Sequence, residues 1–457
     1  MRVPLWCLGL LALGACYLPP LDRPNAETQP DLVMGHGGVV LLAVNSNVYR
    51  FDTVAYAAFL LGLGPPPRYE LVWQWDQAAQ PGASRLINAA GVWCKGDLFL
   101  AHQDFADGTE AFYLSSIAHL ATATSNNPGW CVAVSRDGRT WQEGALDLGL
   151  GENIDGARVS YTADRLLLTT SGANVPVAAI DPASIQNGAV PNWQAISVIT
   201  DNRIIGRTKD TLPYAYVIGR RTSRFYLSRL IPGGVQETDI RLDRFVPPWS
   251  GTIQAAGNPD IPVNAIQLDD LWLDEPHRQA VIAYHGPCLW TPGRVCVTIA
   301  TVQNLSGPCP ACTALSLADP VWNPVINQMW TMDTLAGATF DSWLPRVTVD
   351  DRGIPVFIAG RSSATEFAST IVGAAFPGWG QLSWETLSVG SASCYAPTFS
   401  GPLWRCADWF GAWPAGSSVY LAGSITQPSM TAIPTGRVVV ASVSRQDCAA
   451  HPIPACQ

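Results

Sequence analysis

Short apolar runs, each broken by Gly, Pro, Asn or Asp, recur along the whole chain. They occupy 38–51, 97–105, 165–172, 214–230, 278–286, 294–303, 354–362, 418–426 and 436–444. Runs of this length, rich in Val, Ile, Tyr and Phe and bounded by turn residues, predict β-strands. Only TVAYAAFLLGLG (53–64) offers a credible helix. The chain therefore reads as all-β. Its 457 residues exceed what one sandwich holds, and no Pro/Ser-rich linker divides them, so a repeated architecture is expected.

A faint repeat supports this. ARVSYTADRLLLTTSGANVPVAAID (157–181) aligns with PRVTVDDRGIPVFIAGRSSATEFASTIVG (345–373), and FGAWPAGSSVYLAGSI (410–425), continued by GRVVVASVS, is a partial third copy. Each reads strand, tight turn, apolar strand, small residues, strand. That is the plan of one β-propeller blade, inner strands first. Comparable segments start near 38, 86, 155, 200, 262, 340 and 400, which predicts a single propeller of about seven four-stranded blades, with six or eight also open because 240–260 and 300–340 are irregular.

Charge narrows the partners. Lys and Arg number 27 against 36 Asp and Glu, a net charge of −9, and Lys95 and Lys209 are the only lysines. This balance argues against a face that neutralises several phosphates, so nucleic acid is not the expected partner.

The first residues add an address. Arg2 precedes an apolar run to Ala15 that is too short to span a bilayer and has the length of an export signal. Leu13-Gly14-Ala15-Cys16 resembles the bacterial lipoprotein box, which implies cleavage before Cys16, a diacylglycerol on its thiol and anchoring to the membrane. Tyr17, where inner-membrane retention often has Asp, implies the outer membrane. Residues 1–15 thus read as the signal peptide and 16–35, with four prolines, as a lipidated cysteine and stiff tether reaching roughly 45 Å. Residues 36–457 are left as the propeller.

Ten cysteines follow Cys16: Cys94, Cys131, Cys288, Cys296, Cys309, Cys312, Cys394, Cys406, Cys448 and Cys456. An even number in an oxidising compartment predicts disulfides, and spacing suggests 94–131, 288–296, 309–312, 394–406 and 448–456. Cys288, Cys296, Cys309 and Cys312 are alternatively a four-thiolate zinc set, although gaps of seven and twelve residues suit zinc poorly.

CVAVSRDGRTWQ (131–142) carries the most specific motif. Ser135, Asp137, Gly138, Thr140 and Trp141 resemble the Asp-box of bacterial and viral sialidases and other propellers, with one residue fewer between Asp and Gly. There the box is a hairpin turn on the face away from the active site, so the resemblance implies architecture. A second stretch resembles the last blades of a group of exported bacterial propellers. Trp343, Pro345, Asp350, Gly353, Ser362, Ser363, Arg405 and Asp408 match its pattern, while Cys406, Ala407, Trp409 and Phe410 depart from it. Sialidase chemistry would require three arginines on a substrate carboxylate and a Tyr–Glu nucleophile pair. The first arginine's motif has only Tyr49-Arg50-Phe51-Asp52 as a candidate, without its Ile-Pro, and Arg220, Arg221, Arg346 and Tyr284 carry no identifying context.

Other constellations remain. Asp269, Asp270, Asp274 and Glu275 in LDDLWLDEPH (268–277) are candidates for a Ca²⁺ or ligand site, or a solvated loop between blades. His36 in MGHGG is a candidate metal ligand or a flexible lead-in to the first strand. Beyond these no metal site or cofactor is read. The 18 tryptophans either stack on sugars or fill the space between blades. No catalytic set stands out. The expected function is therefore a lipoprotein, exported and anchored at the bacterial cell envelope, whose propeller binds a protein or glycan partner without catalysis. A sialidase-like glycoside hydrolase or lyase is the alternative, and a structural envelope component the second.

Overall fold

The structure, a computed structural model, describes residues 16–17, 21–23, 30–74 except 45–46, 92–147 except 123–124, 158–169, 176–240 except four short breaks, 266–305 except 289–294 and 304, 324–332, 340–375 except 364–368, 383–386 and 410–444 except 416–417 and 428–434. Six sheets each hold four antiparallel strands in chain order. The first comprises β3 (Pro30–Met34), β4 (Val39–Val44), β5 (Asn47–Asp52) and β6 (Glu70–Gln74). The second runs β7 (Val92–Asp104), β8 (Glu110–Thr122), β9 (Ser125–Ser135), β10 (Trp141–Asp147). The third is β11 (Arg158–Tyr161), β12 (Leu166–Thr169), β13 (Val177–Ile180), β14 (Trp193–Ile196), and the fourth β15 (Asp201–Ile205), β16 (Ala215–Arg221), β17 (Arg224–Ile231), β18 (Gly234–Ile240). The fifth takes β19 (Gln267–Asp274), β20 (Gln279–Pro287), β21 (Val295–Gln303), β22 (Val325–Thr331); the sixth, β23 (Phe340–Val349), β24 (Pro355–Ser363), β25 (Ser369–Ala374), β26 (Ser383–Thr386).

A seventh sheet joins the two ends of the chain. β27 (Phe410–Ala415), β28 (Ser418–Gln427) and β29 (Thr435–Ser444) are completed by β1 (Cys16–Tyr17) and β2 (Leu21–Arg23), both antiparallel to β29. The first strands of neighbouring sheets contact one another in an unbroken circle: β3, β7, β11, β15, β19, β23, β27 and back to β3. The protein is an all-β propeller of six four-stranded blades and one closing sheet. The three aligned sequence repeats are β11–β13, β23–β25 and β27–β29, so strand–turn–strand phrasing located blades correctly.

The burial pattern explains why the strands read as continuous apolar runs. Each sheet is covered on both faces by its neighbours, so VVLLAV of β4 is buried at five of six positions and LLLT of β12 throughout. Apolar clusters fill the gaps between sheets, and Trp130, Trp272, Trp330 and Trp413 are all essentially inaccessible. For these four the space-filling reading of tryptophan holds.

One expectation changes and another holds. The propeller begins before residue 36. Pro30–Met34 is the innermost strand of the first blade and Leu21–Arg23 pairs with β29, because the last sheet needs an outer strand and the chain's beginning supplies it. Cys16–Tyr17, Leu21–Arg23 and Pro30–Met34 therefore belong to sheets and not to a free tether. The 53–64 segment does form a helix, α1 (Thr53–Leu60), started by Asp52, whose carboxylate accepts the Ala55 N–H at 2.9 Å. The irregular stretches 241–265 and 306–323 lie outside the described residues.

Candidate functional site

Four inner strands are irregular in register: β7 between Lys95 and Phe99, β15 between Asp201 and Ile204, β19 between Leu268 and Asp270, and β23 between Trp343 and Arg346. A bulge re-aims the side chains beside it. At β19 it makes Asp269 the extra residue; at β23 Leu344 takes a φ of 49°, a left-handed value rare for leucine. These bulges deliver a polar cluster to the centre of the ring.

Asp270 is its hub and is fully buried. Arg207, just beyond β15, meets it with two donors: Nε reaches Oδ1 at 3.1 Å and Nη2 reaches Oδ2 at 2.5 Å. The same guanidinium donates to the carbonyls of Ala412 (2.9 Å) and Val347 (3.0 Å), and Val347 N–H donates to Asp270 Oδ2 at 2.9 Å. Arg346 Nη1 lies 3.3 Å and Arg158 Nη1 3.7 Å from Asp270 Oδ1, and the Phe99 ring lies under both guanidinium groups, 5.4 and 5.5 Å from its centroid. One carboxylate thus ties together inner strands of several blades. Asp31, which feels the charges of Arg346, Arg207 and Asp270, accepts the N–H of Leu100 at 2.9 Å, joining β3 to β7.

Burial alone would raise the Asp270 carboxyl, yet Arg207, Arg346 and Arg158 hold it far below the ordinary carboxylate range. Burial pulls the Arg158 guanidinium down to about 9, and the nearby Arg346 charge adds to this. Asp31 is pushed up by burial.

Beside the hub, Asp269 Oδ2 lies 2.7 Å from His285 Nδ1. Burial raises Asp269. For His285, burial acts downward, but the Asp269 charge and hydrogen bond outweigh it and the imidazole is raised. His285 lies two residues before the end of β20, next to which the Cys288–Cys296 disulfide, with Cα atoms 5.0 Å apart, ties the strand's end to β21. Arg158, at the start of β11, and His285 each keep 16% of the side chain exposed. They mark the ring face where inner strands begin. A buried acid–imidazole pair next to a half-engaged guanidinium can hold an anionic or hydroxyl-bearing group and can carry a proton.

The sequence left Asp269, Asp270, Asp274 and Glu275 as a calcium or ligand set or as a solvated loop between blades; the loop reading is corrected, and the four do not form one set. They lie on or just after the buried strand β19, and each has its own partner. Asp269 takes His285, Asp270 the arginines, Asp274 takes His277 (2.9 Å) and Gln279 (2.9 Å), and Glu275 accepts from the Tyr214 hydroxyl at 2.8 Å. They do not converge. Arg346 does belong to the ring centre, but Arg220 and Arg221 end β16 and Arg50 sits on β5, so that triad is not assembled. Arg158 and Arg207 are its actual companions, and no local motif singled them out. Their signal is positional: both stand at inner strands of the repeat.

The Ser135–Trp141 turn is built around its aspartate. Asp137 Oδ1 accepts from Arg139 N (2.8 Å), Thr140 N (2.7 Å) and Ser135 Oγ (3.0 Å), while Oδ2 accepts from Thr140 Oγ1 (3.0 Å). Slight burial opposes ionisation, but these donors bring Asp137 down to about 2. Gly138 has a φ of 68°, and Trp141 is buried. Of the cysteines, Cys288 and Cys296 are joined, which removes two thiolates from the alternative zinc set, and Cys131 is disulfide-bonded. The Cys94 side chain and Cys309, Cys312, Cys394, Cys406, Cys448 and Cys456 lie outside the described residues, as does the Cys16 side chain.

No family model matches the chain, and no curated protein matches it. Solved structures do. A Dyadobacter fermentans protein of unknown function is 12% identical, with 93% of this chain and 99% of that one covered and a TM-score of 0.42. A GH93 α-L-arabinofuranosidase of Fusarium graminearum is 8% identical (94% and 99% covered, TM-score 0.43). A sialidase variant from Streptococcus pneumoniae is 9% identical (93% and 70% covered, TM-score 0.36). The likeness is one of fold.

Proposed function

We propose that the chain is a lipid-anchored propeller of the bacterial envelope that binds a protein or glycan partner, without catalysis, on the face where the inner strands begin. The observation that carries this reading is the clasp at Asp270. A sialidase-type site would turn three guanidinium groups toward a substrate carboxylate, whereas here Arg207, Arg346 and Arg158 surround a carboxylate of the fold itself.

The placement of the chain's beginning supports the orientation. β29, the third strand of its sheet, runs from Thr435 to Ser444, and Cys16 pairs with Ser442 near its end. α1 follows the end of β5, the third strand of the first blade, and Thr53 Oγ1 donates to Gly38 O at 2.8 Å in the β3–β4 turn. Cys16 and α1 therefore share one face, opposite Arg158 and His285. On that face Val54, Leu61 and Leu63 of α1 and its following turn are 59%, 61% and 76% exposed, suited to resting on a bilayer held by a lipid on Cys16.

The test is a glycan array and a pull-down from envelope extract, each with the native protein and with Arg158→Ala and His285→Ala. A retained partner lost in the variants supports the reading. Silence in both formats, with turnover of a glycoside library, transfers the assignment to a glycoside hydrolase.

A further inference from the structure

We infer that His36, Asp104 and Glu110, with His102 beside them, form a binding site for a divalent transition-metal ion between the first and second blades. The four residues come from three pieces of chain: His36 from the β3–β4 turn, His102 and Asp104 from the end of β7, and Glu110 from the start of β8. One donor atom each from His36, Asp104 and Glu110 fits within a 4.8 Å group. His36 Nε2 is 2.7 Å from Asp104 Oδ1; His102 Nε2 is 3.4 Å from that oxygen and 2.8 Å from Glu110 Oε2.

These distances are compatible with one shared ion. Ligands held at about 2.0–2.2 Å from zinc sit roughly 3.3–3.6 Å apart in a tetrahedron, against donor separations here that run from 2.7 Å to at most 4.8 Å. Asp104 Oδ1 is buried, and although the His36 nitrogen is close it accepts no hydrogen bond. The surroundings fix the donors. The His36 backbone N–H donates to Glu110 Oε2 at 2.7 Å, and His102 packs beside Phe112 and Trp413 with ring centroids at 4.9 and 6.0 Å. A Cβ at Gly35 would stand 2.3 Å from the Phe112 ring and 2.7 Å from Glu110 Oε2, so glycine there is what lets the turn close over the carboxylate.

The donor set selects the ion. Two imidazoles with two carboxylates suit zinc, cobalt or nickel, whereas calcium and magnesium prefer all-oxygen shells. The test is isothermal titration of chelator-treated full-length protein with zinc chloride and, separately, calcium chloride. One zinc per chain is expected, with at least tenfold weaker binding in His36→Gln and in Asp104→Asn and no comparable calcium affinity. His36 is exposed, so His36→Gln is the variant that keeps the fold, checked by an unchanged circular dichroism spectrum; His277→Gln, a histidine elsewhere, should bind as native. Absence of zinc binding, equal binding in His36→Gln, or tighter calcium binding overturns the assignment.

Discussion

Removing a buried carboxylate from among guanidinium groups costs more than the intact cluster contributes. Changing Asp270 to Asn deletes the counter-charge while leaving Arg207 and Arg346 in place, and breaking a buried pair in this way costs about 3–5 kcal/mol. Denaturant unfolding of Asp270→Asn should show that loss at neutral pH. Because the folded Asp270 is held below its ordinary value, its contribution is complete above about pH 4 and fades as pH falls further, so native and variant should converge in acid. His285 behaves in the opposite sense. Its folded value is raised, so its contribution is complete below about 6.5 and is lost as pH rises through the folded value. The melting-temperature gap between native protein and His285→Gln should therefore narrow from mildly acidic to alkaline buffer. These residues were the least legible in the sequence. Asp269 and Asp270 were visible as a pair, but a bulge sends one to His285 and the other to the hub, and a one-residue register change leaves no compositional trace.

Elements were far more legible. The strands β11–β13 and β23–β25 could be read from the alternation of apolar runs and Asp/Gly turns, because full burial on both faces forces the apolar run and a tight turn forces the punctuation. The Ser135–Trp141 turn was equally readable, since all of its chemistry is local. Asp137→Ala should cost about 1 kcal/mol, modest because the turn is exposed to solvent, measured as a shift in the denaturation midpoint. α1 was also read correctly, but sequence could not say that it leaves Val54 and, in the turn after it, Leu61 and Leu63 in solvent. If that face rests on lipid, Leu61→Asp with Leu63→Asp should reduce co-flotation of the protein with liposomes while leaving its melting temperature unchanged.

The whole molecule depends on a closure that neither end displays alone. A strand's partner across the ring is fixed by which sheet lacks an edge, and this was the reason the beginning of the chain was misread as a tether. The seam between the last and first sheets is tight. A Cβ on Gly411 of β27 would sit 2.7 Å from the backbone nitrogen of Leu32 in β3, and backbone has nowhere to retreat. Gly411→Ala should accordingly destabilise the protein by about 1–3 kcal/mol, seen as a lower melting temperature with loss of a single sharp transition.

The pairing of Leu21 with Val438 also sets a schedule for biogenesis. Among the described strands, β1 and β2 must wait, unpaired, for β29, and a chain cut short before Thr435 cannot latch the circle. Quality-control proteases would thus meet an open-edged half-ring whenever synthesis stops early, and a finished, latched one only after the final sheet arrives.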